Sequence, residues 1–312
     1  MTREDVVEAG RRIAGMVETT PLIESEVAGT RLWLKCECLQ TGGAFKLRGA
    51  TNRLLQLSPQ ERERGVVAFS SGNHARGVAI AARRLGIRAI IVMPSDAPQV
   101  KIEGTRSEGA EIIFYDRRRD SREEIAAKIS SETGATVVPS FDDPAIVAGQ
   151  GTVGLDILEQ MPVAPTQIVV PCGGGGLASG ITLAVPEAEI VIVEPWGWDD
   201  MAQSLRRGEI VPVAADAPAS FCDALLTPCV SPITFGILQQ RNARALSVTD
   251  SEAAAAVRFA FERHGLTVEP GGAVGLAALL AGKVAPSEAT VVVLSGGNVD
   301  PALHARIINE AA

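Results

Sequence analysis

The chain has 312 residues, 46% hydrophobic and 21% charged, a globular composition long enough for two lobes and unlike that of a disordered or fibrous protein. Its net charge is -8, and its densest basic run, Arg117–Arg119, lies between Asp116 and Asp120, which argues against a nucleic-acid partner. The charged start Met1-Thr-Arg-Glu-Asp5 and the lack of an apolar run near the roughly 18 residues of a spanning helix lead us to expect a soluble, cytoplasmic chain with no membrane partner.

In chain order, the first informative stretch runs from Cys36 to Ala50. Cys36 and Cys38 alternate along an expected strand, so their side chains should face opposite ways, and five cysteines give no disulfide framework. Lys46 follows in Thr41-Gly-Gly-Ala-Phe-Lys46, held in a tight apolar bend by two glycines, an alanine and Phe45. Desolvation there lowers an amine pKa and makes it nucleophilic, as Schiff-base formation requires. A surface lysine near a helix start is the plainer alternative.

Strands and helices then alternate. Gly65–Phe69 reads as a strand, followed by the turn Ser70-Ser-Gly-Asn-His74 and an Ala/Arg helix. Hydroxyls and N–H groups at a helix start form an anion pocket of carboxylate size, or no more than an N-cap. Ala89–Met93 and Ala110–Tyr115 continue the rhythm, and the turn-rich Val138–Pro144 marks a lobe boundary. We therefore expect a small mobile lobe over 65–141, inserted in a large cofactor-binding lobe made of 1–64 and 142–312. The later strands are Thr166–Val170, Ala188–Val193 and Ala289–Leu294. Strands this continuously apolar, spaced by helices, indicate an α/β protein with open parallel sheets covered on both faces and ligands beyond the strands' carboxyl ends.

Beyond the strand ending at Pro171 comes Cys172-Gly-Gly-Gly-Gly-Leu177, whose successive N–H groups can converge on a phosphate. The run can also be forced into Gly-x-Gly-x-x-Gly with Glu194 about 20 residues on, which keeps a nonenzymatic nucleotide or amino-acid-binding protein as the rival reading. The last strand leads into Ser295-Gly-Gly-Asn298, where a hydroxyl beside two glycines can approach a flat ring edge-on, or simply turn the chain into a helix. His74, His264 and His304 fall in no zinc spacing, which argues against a zinc or di-iron hydrolase.

Glu37-Cys-Leu-Gln-Thr-Gly-Gly-Ala-Phe-Lys-Leu-Arg-Gly-Ala50, Ser70–His74, the glycine tetrad, Val268-Glu-Pro-Gly-Gly-Ala-Val-Gly275 and Ser295–Asn298, in this order, resemble the fold type II pyridoxal-phosphate enzymes, which are tryptophan synthase β-like. The nearest group is that of the serine/threonine dehydratases and serine racemase. The resemblance covers nearly the whole chain and departs at Gly42, where members usually carry threonine. It implies that Lys46 carries pyridoxal 5'-phosphate and moves the Cα proton, and that Gly173, Gly174, Gly175 and Gly176 hold the phosphate. Asn73 would bond the ring hydroxyl, Phe45 would pack on the ring, Glu269 would wall the pocket, and Ser295 would face the ring nitrogen. The substrate carboxylate would sit on Ser70, Ser71, Asn73 and His74, with Ser71 also placed where the racemase has its opposite-face base.

The implied reaction is β-elimination of water from a 3-hydroxy amino acid of the L-threonine or L-serine type, giving a 2-oxo acid and ammonia. Serine racemisation, or dehydration of 3-hydroxyaspartate or phenylserine, are the alternatives. Glu194, the Trp198 carbonyl and Asp200 match the family's divalent-cation loop, implying Mg²⁺ or Ca²⁺, whereas a solvated acidic loop is the bland reading. The resemblance also implies a homodimer. With the chain stopping at Ala312, no isoleucine-sensing regulatory domain is expected.

Overall fold

Continuously apolar segments become the inner strands of two sheets in the computed structural model, which describes residues 1–70 and 72–309. The chain begins with α1 (Arg3–Ile13), a hairpin of β1 (Leu22–Val27) and β2 (Thr30–Lys35), α2 (Lys46–Leu55) and α3 (Pro59–Arg64). Next, β3 (Val66–Phe69), α4 (Asn73–Leu85), β4 (Ala89–Pro94), α5 (Gln99–Arg106), β5 (Glu111–Tyr115), α6 (Arg122–Thr133) and β6 (Thr136–Val137) build a parallel sheet ordered β5-β4-β3-β6. Then come α7 (Pro144–Gln160), β7 (Gln167–Pro171), α8 (Gly176–Ala184), β8 (Glu189–Pro195) and α9 (Asp200–Arg207). The chain closes with α10 (Pro232–Gln240), β9 (Arg244–Val248), α11 (Asp250–His264), α12 (Pro270–Leu280), β10 (Thr290–Val293) and α13 (Pro301–Asn309). These strands join the hairpin in a six-stranded sheet ordered β1-β2-β10-β7-β8-β9.

The strands read from sequence fall where expected, and three details differ. β1 pairs antiparallel with β2 on the sheet edge, where its exposed Glu24 and Glu26 discourage further pairing. β6 and β9 escape a hydrophobicity reading because one is two residues long and the other is half exposed. Cys36 and Cys38 do not alternate along a strand. The chain leaves β2 at Lys35 and turns through a 3-10 turn at Glu37–Leu39. This sets the two thiols side by side, and the Cys36 contact together with burial raises the Cys38 pKa. All five cysteines are free. Among the described residues no helix is long and apolar enough to cross a membrane.

Packing of helices on glycine brings the site together. α2 lies against α7 so closely that a Cβ on Gly149 would fall 2.6 Å from the Gly49 Cα, and a Cβ on Gly180 of α8 would fall 2.4 Å from the Gly151 N. α7 thereby fixes the helix that starts at Lys46 relative to the helix that starts at the glycine tetrad. The core of the smaller sheet also takes in Leu47, Ala50 and Leu54 of α2, although α2 precedes that sheet in sequence.

A buried ionic cluster fixes the other face of α2. Arg48 grips Glu37 bidentately at 2.8 and 2.9 Å and reaches Asp156 at 2.6 Å, while Lys35 meets Asp156 at 3.3 Å. Two cations and two carboxylates balance there, with Arg48 and Glu37 at 1% and 0% exposure. Removing one partner strands a buried charge, so Arg48→Met is expected to cost about 3–5 kcal/mol in urea unfolding. Adding Glu37→Leu should recover most of that loss; equal stability of wild type and Arg48→Met would show that the cluster holds nothing in place.

Candidate active site

The carboxyl ends of both sheets face one cavity of about 400 Å³. Of the residues singled out from sequence, Phe45, Lys46, Ser70, Asn73, His74, Gly173, Gly174, Gly175, Gly176, Glu269 and Ser295 all line it. Ser71 lies outside the described residues, and Glu194, Trp198 and Asp200 lie away from the cavity wall.

β10 is central in its sheet, so its following loop emerges beside the loop that leads into α2. Ala44 bridges Gly296, and the Phe45 N–H donates to the Ser295 carbonyl at 3.2 Å. These backbone bonds hold Lys46 next to Ser295. Its Nζ donates to the Ser140 carbonyl at 3.1 Å and sits 5.1 Å from the centroid of the Phe45 ring. Enclosure lowers its pKa to about 8, with only partial opposition from Glu269. An amine this near neutrality has an appreciable unprotonated fraction available as nucleophile and base.

Across the cavity, the tetrad runs into the N-terminus of α8. Gly175 adopts φ +85°, a left-handed conformation that side-chain-bearing residues rarely take. A Cβ on Gly174 would fall 2.3 Å from Cδ1 of Phe141, and one on Gly173 would fall 3.2 Å from both the Leu225 Cα and the Thr227 Oγ1. The tetrad is thus a cradle bare of side chains at a helix start, with the geometry that binds phosphate. A phosphorylated aldehyde fits this pair of features, one end on the cradle and the other within reach of Lys46.

The third wall comes from the turn after β3. Ser70 accepts the Gly72 N–H through its Oγ at 3.2 Å. The Asn73 Nδ2 donates to Glu269 at 2.5 Å. Glu269 is 1% exposed, its Oε2 has no partner, and burial raises its pKa against the lowering effect of Lys101. His74 is also buried, with its Nε2 2.9 Å from the Val138 carbonyl. Burial, and next the charge of Lys46, lower its pKa to about 3, so the ring is neutral.

The acidic loop is not solvated, because Glu194 and Asp200 are 0% and 1% exposed. Glu194 accepts the Met201 and Ala202 N–H groups at 3.0 and 2.8 Å in the first turn of α9. Both Asp200 carboxylate oxygens lack a partner, and burial raises its pKa to about 7. No cluster of three or more His, Cys, Asp or Glu suited to a metal occurs among the described residues.

The sequence reading missed Phe141, Thr227 and Asn298. Phe141 lies in the turn Val138–Pro144, which reads from sequence only as a lobe boundary, and Thr227 sits in irregular chain outside any motif; both line the cavity. Asn298 was visible as the end of Ser295–Asn298, but its partners were not.

A weakly basic amine that shares one cavity with an anion cradle suits an enzyme that works through a phosphorylated carbonyl cofactor. Residues 13–296 match the family described as pyridoxal-phosphate dependent enzyme, and the chain belongs to that family. It is 41% identical to the L-threonine ammonia-lyase of Thermotoga maritima over 318 residues, covering 99% of this chain and 79% of that protein. It is 39% identical to the L-threo-3-hydroxyaspartate ammonia-lyase of a Pseudomonas species, covering 97% of each. Among solved structures, maize serine racemase superposes with a TM-score of 0.92 at 37% identity, covering 98% of this chain and 96% of that one.

Proposed function

We infer that the protein is a pyridoxal-phosphate-dependent dehydratase that eliminates water from a 3-hydroxy amino acid of the L-threonine or L-serine type, yielding a 2-oxo acid and ammonia. The observation that carries this reading is Lys46, whose amine has a pKa of about 8 and shares one cavity with the glycine cradle and Ser295. When bound, pyridoxal phosphate supplies the electron withdrawal that acidifies the substrate Cα–H.

The chain's own residues do the rest. Gly173, Gly174, Gly175 and Gly176 bind the phosphate through backbone N–H groups, and Phe45 packs on the ring. Asn73 donates to the ring hydroxyl. Ser295 offers the ring nitrogen a hydroxyl, which does not stabilise a positive charge there as a carboxylate would. With a hydroxyl rather than a carboxylate there, the site would favour loss of a β-leaving group. Ser70, Ser71, Asn73 and the backbone N–H of His74 orient the substrate carboxylate, the one N–H of the neutral His74 ring being spent on the Val138 carbonyl. The Lys46 amine, unprotonated in appreciable fraction, would take the Cα proton. The lobe built on 65–141, with α2 packed in its core, closes over the substrate against the large lobe, excluding water.

Ammonia and 2-oxo acid release from a panel of L-serine, L-threonine, 3-hydroxyaspartate and phenylserine tests this reading; no 2-oxo acid from any of them sinks it. Racemisation rests on Ser71 as a second base, and formation of D-serine ahead of pyruvate from L-serine would decide for it.

Glu194, the Trp198 carbonyl and Asp200 would hold Mg²⁺ or Ca²⁺, a proposal supported by the two unpartnered Asp200 oxygens. Protons compete for Asp200, whose pKa is about 7. Added Mg²⁺ should therefore raise the melting temperature more at pH 8 than at pH 6, and Asp200→Asn should remove the effect. A melting temperature indifferent to both cation and chelator would dispose of the cation. The family resemblance extends to a cytoplasmic homodimer, which light scattering on the purified chain would check.

A further inference from the structure

Arg76, on the first turn of α4, donates from Nη1 to the Asn298 Oδ1 at 3.1 Å. Asn298 in turn donates from Nδ2 to the Asn73 Oδ1 at 2.8 Å and to the Gly42 carbonyl at 2.7 Å. The Asn73 Nδ2 then donates to Glu269. Asn73 and Glu269 line the cavity, whereas Arg76 and Asn298 lie behind it.

A carboxamide has two ends of nearly equal size, and a half-turn exchanges its donor for its acceptor. Shape alone therefore does not decide which end of Asn73 faces the cavity. Glu269 does not decide it either, because burial raises its pKa and a protonated carboxyl can donate to an amide oxygen. A guanidinium only donates. Arg76 draws the oxygen of Asn298 toward itself and the Gly42 carbonyl, which only accepts, holds the nitrogen at the other end, so the Asn298 nitrogen faces Asn73. Asn73 must answer with its oxygen, so its nitrogen is the end left for the cavity.

The relay has little freedom to rearrange. A Cβ on Gly43 would fall 2.4 Å from the Asn298 Oδ1, and the Gly297 N–H is tied to the Gly43 carbonyl at 2.8 Å. The loops that carry Lys46 and Ser295 thus close around the Asn298 side chain.

We propose that Arg76 and Asn298 are positioning residues that set the polarity of the Asn73 amide, so that it presents a hydrogen-bond donor to the ring oxygen of the cofactor. The inference rests on the placement of Asn73 against that oxygen given above. A donor there holds the ring oxygen in its anionic form, whereas a rotated amide would hold it protonated. These two forms absorb at different wavelengths.

The test uses the holoenzyme and reads the ratio of visible to near-ultraviolet cofactor absorbance, the Kd for pyridoxal phosphate and the melting temperature. Arg76→Met and Asn298→Leu should each shift the ratio toward the near-ultraviolet and raise Kd about tenfold. The double variant should be no worse than either single, since both break one relay, and Arg76→Lys should keep the wild-type ratio. An unchanged ratio in Arg76→Met overturns the proposal, as does an Asn298→Leu variant that loses melting temperature and affinity with its ratio intact. Should Arg76→Met not fold, the Asn298→Leu ratio decides alone. An Asn73→Ala variant with an unshifted ratio would overturn the placement of Asn73 itself, and the relay with it.

Discussion

Lys46→Ala is expected to lower 2-oxo acid formation by at least about 10⁴-fold, because in the proposed reaction one side chain supplies both the nucleophile and the base. Lys46→Met should abolish the borohydride-fixable cofactor adduct as well, while keeping the volume of the side chain. The pH dependence has a definite sign. The folded pKa of Lys46 is about 8, against 10.5 for an ordinary lysine. Between those values the unfolded chain binds more protons than the folded one, so the contribution of this group to the stability of the cofactor-free protein rises with pH. Cofactor incorporation by the wild type should accelerate as pH passes through about 8, following the unprotonated amine. Stability in the Lys46→Met variant should lose this rise. Incorporation that is flat from pH 7 to pH 9 would mean that the amine is not the titrating group.

The second large effect is expected at Gly174. A Cβ there would meet Cγ, Cδ1 and Cε1 of Phe141 at 2.3–2.4 Å, closer than atoms can stand. Gly174→Ala must therefore displace the Phe141 ring or bend the cradle, at a cost of about 1–3 kcal/mol in stability. Cofactor affinity should fall by about 100-fold, the loss expected when two of the cradle's hydrogen bonds no longer reach the phosphate. The combination Gly174→Ala with Phe141→Leu relieves the clash, and titration of pyridoxal phosphate should show part of the affinity returning. Wild-type affinity in Gly174→Ala alone would place the phosphate elsewhere.

Much of this site was legible in the sequence because its parts are local. Lys46 with its glycines, the tetrad at Gly173–Gly176 and the Ser295–Asn298 turn each sit directly after a strand or at a helix start, where backbone geometry and side-chain chemistry are set within a few residues. The inner strands were equally legible, since burial on both faces demands unbroken apolar runs, as in Ala89–Pro94. The misreadings have physical causes as well. Cys36 and Cys38 were assigned to a strand by alternation, yet a 3-10 turn follows β2 and sets the thiols together. The solvated-loop alternative for Glu194 and Asp200 fails because the fold buries both carboxylates, which no local pattern of residues foretells.

The sequence by itself determined the inner strands, the lysine at a helix start, the glycine tetrad and the family, because each rests on short motifs whose residues are close in the chain. Only the tertiary structure decided what depends on groups brought from afar. The pKa of Lys46 follows from its enclosure in the cavity, opposed by Glu269, and that of Asp200 from its burial behind α9. The polarity of Asn73 follows from Arg76 acting through a residue 225 positions further along the chain. Desolvation and hydrogen-bond direction are properties of an assembled interior, and no local pattern of residues contains them.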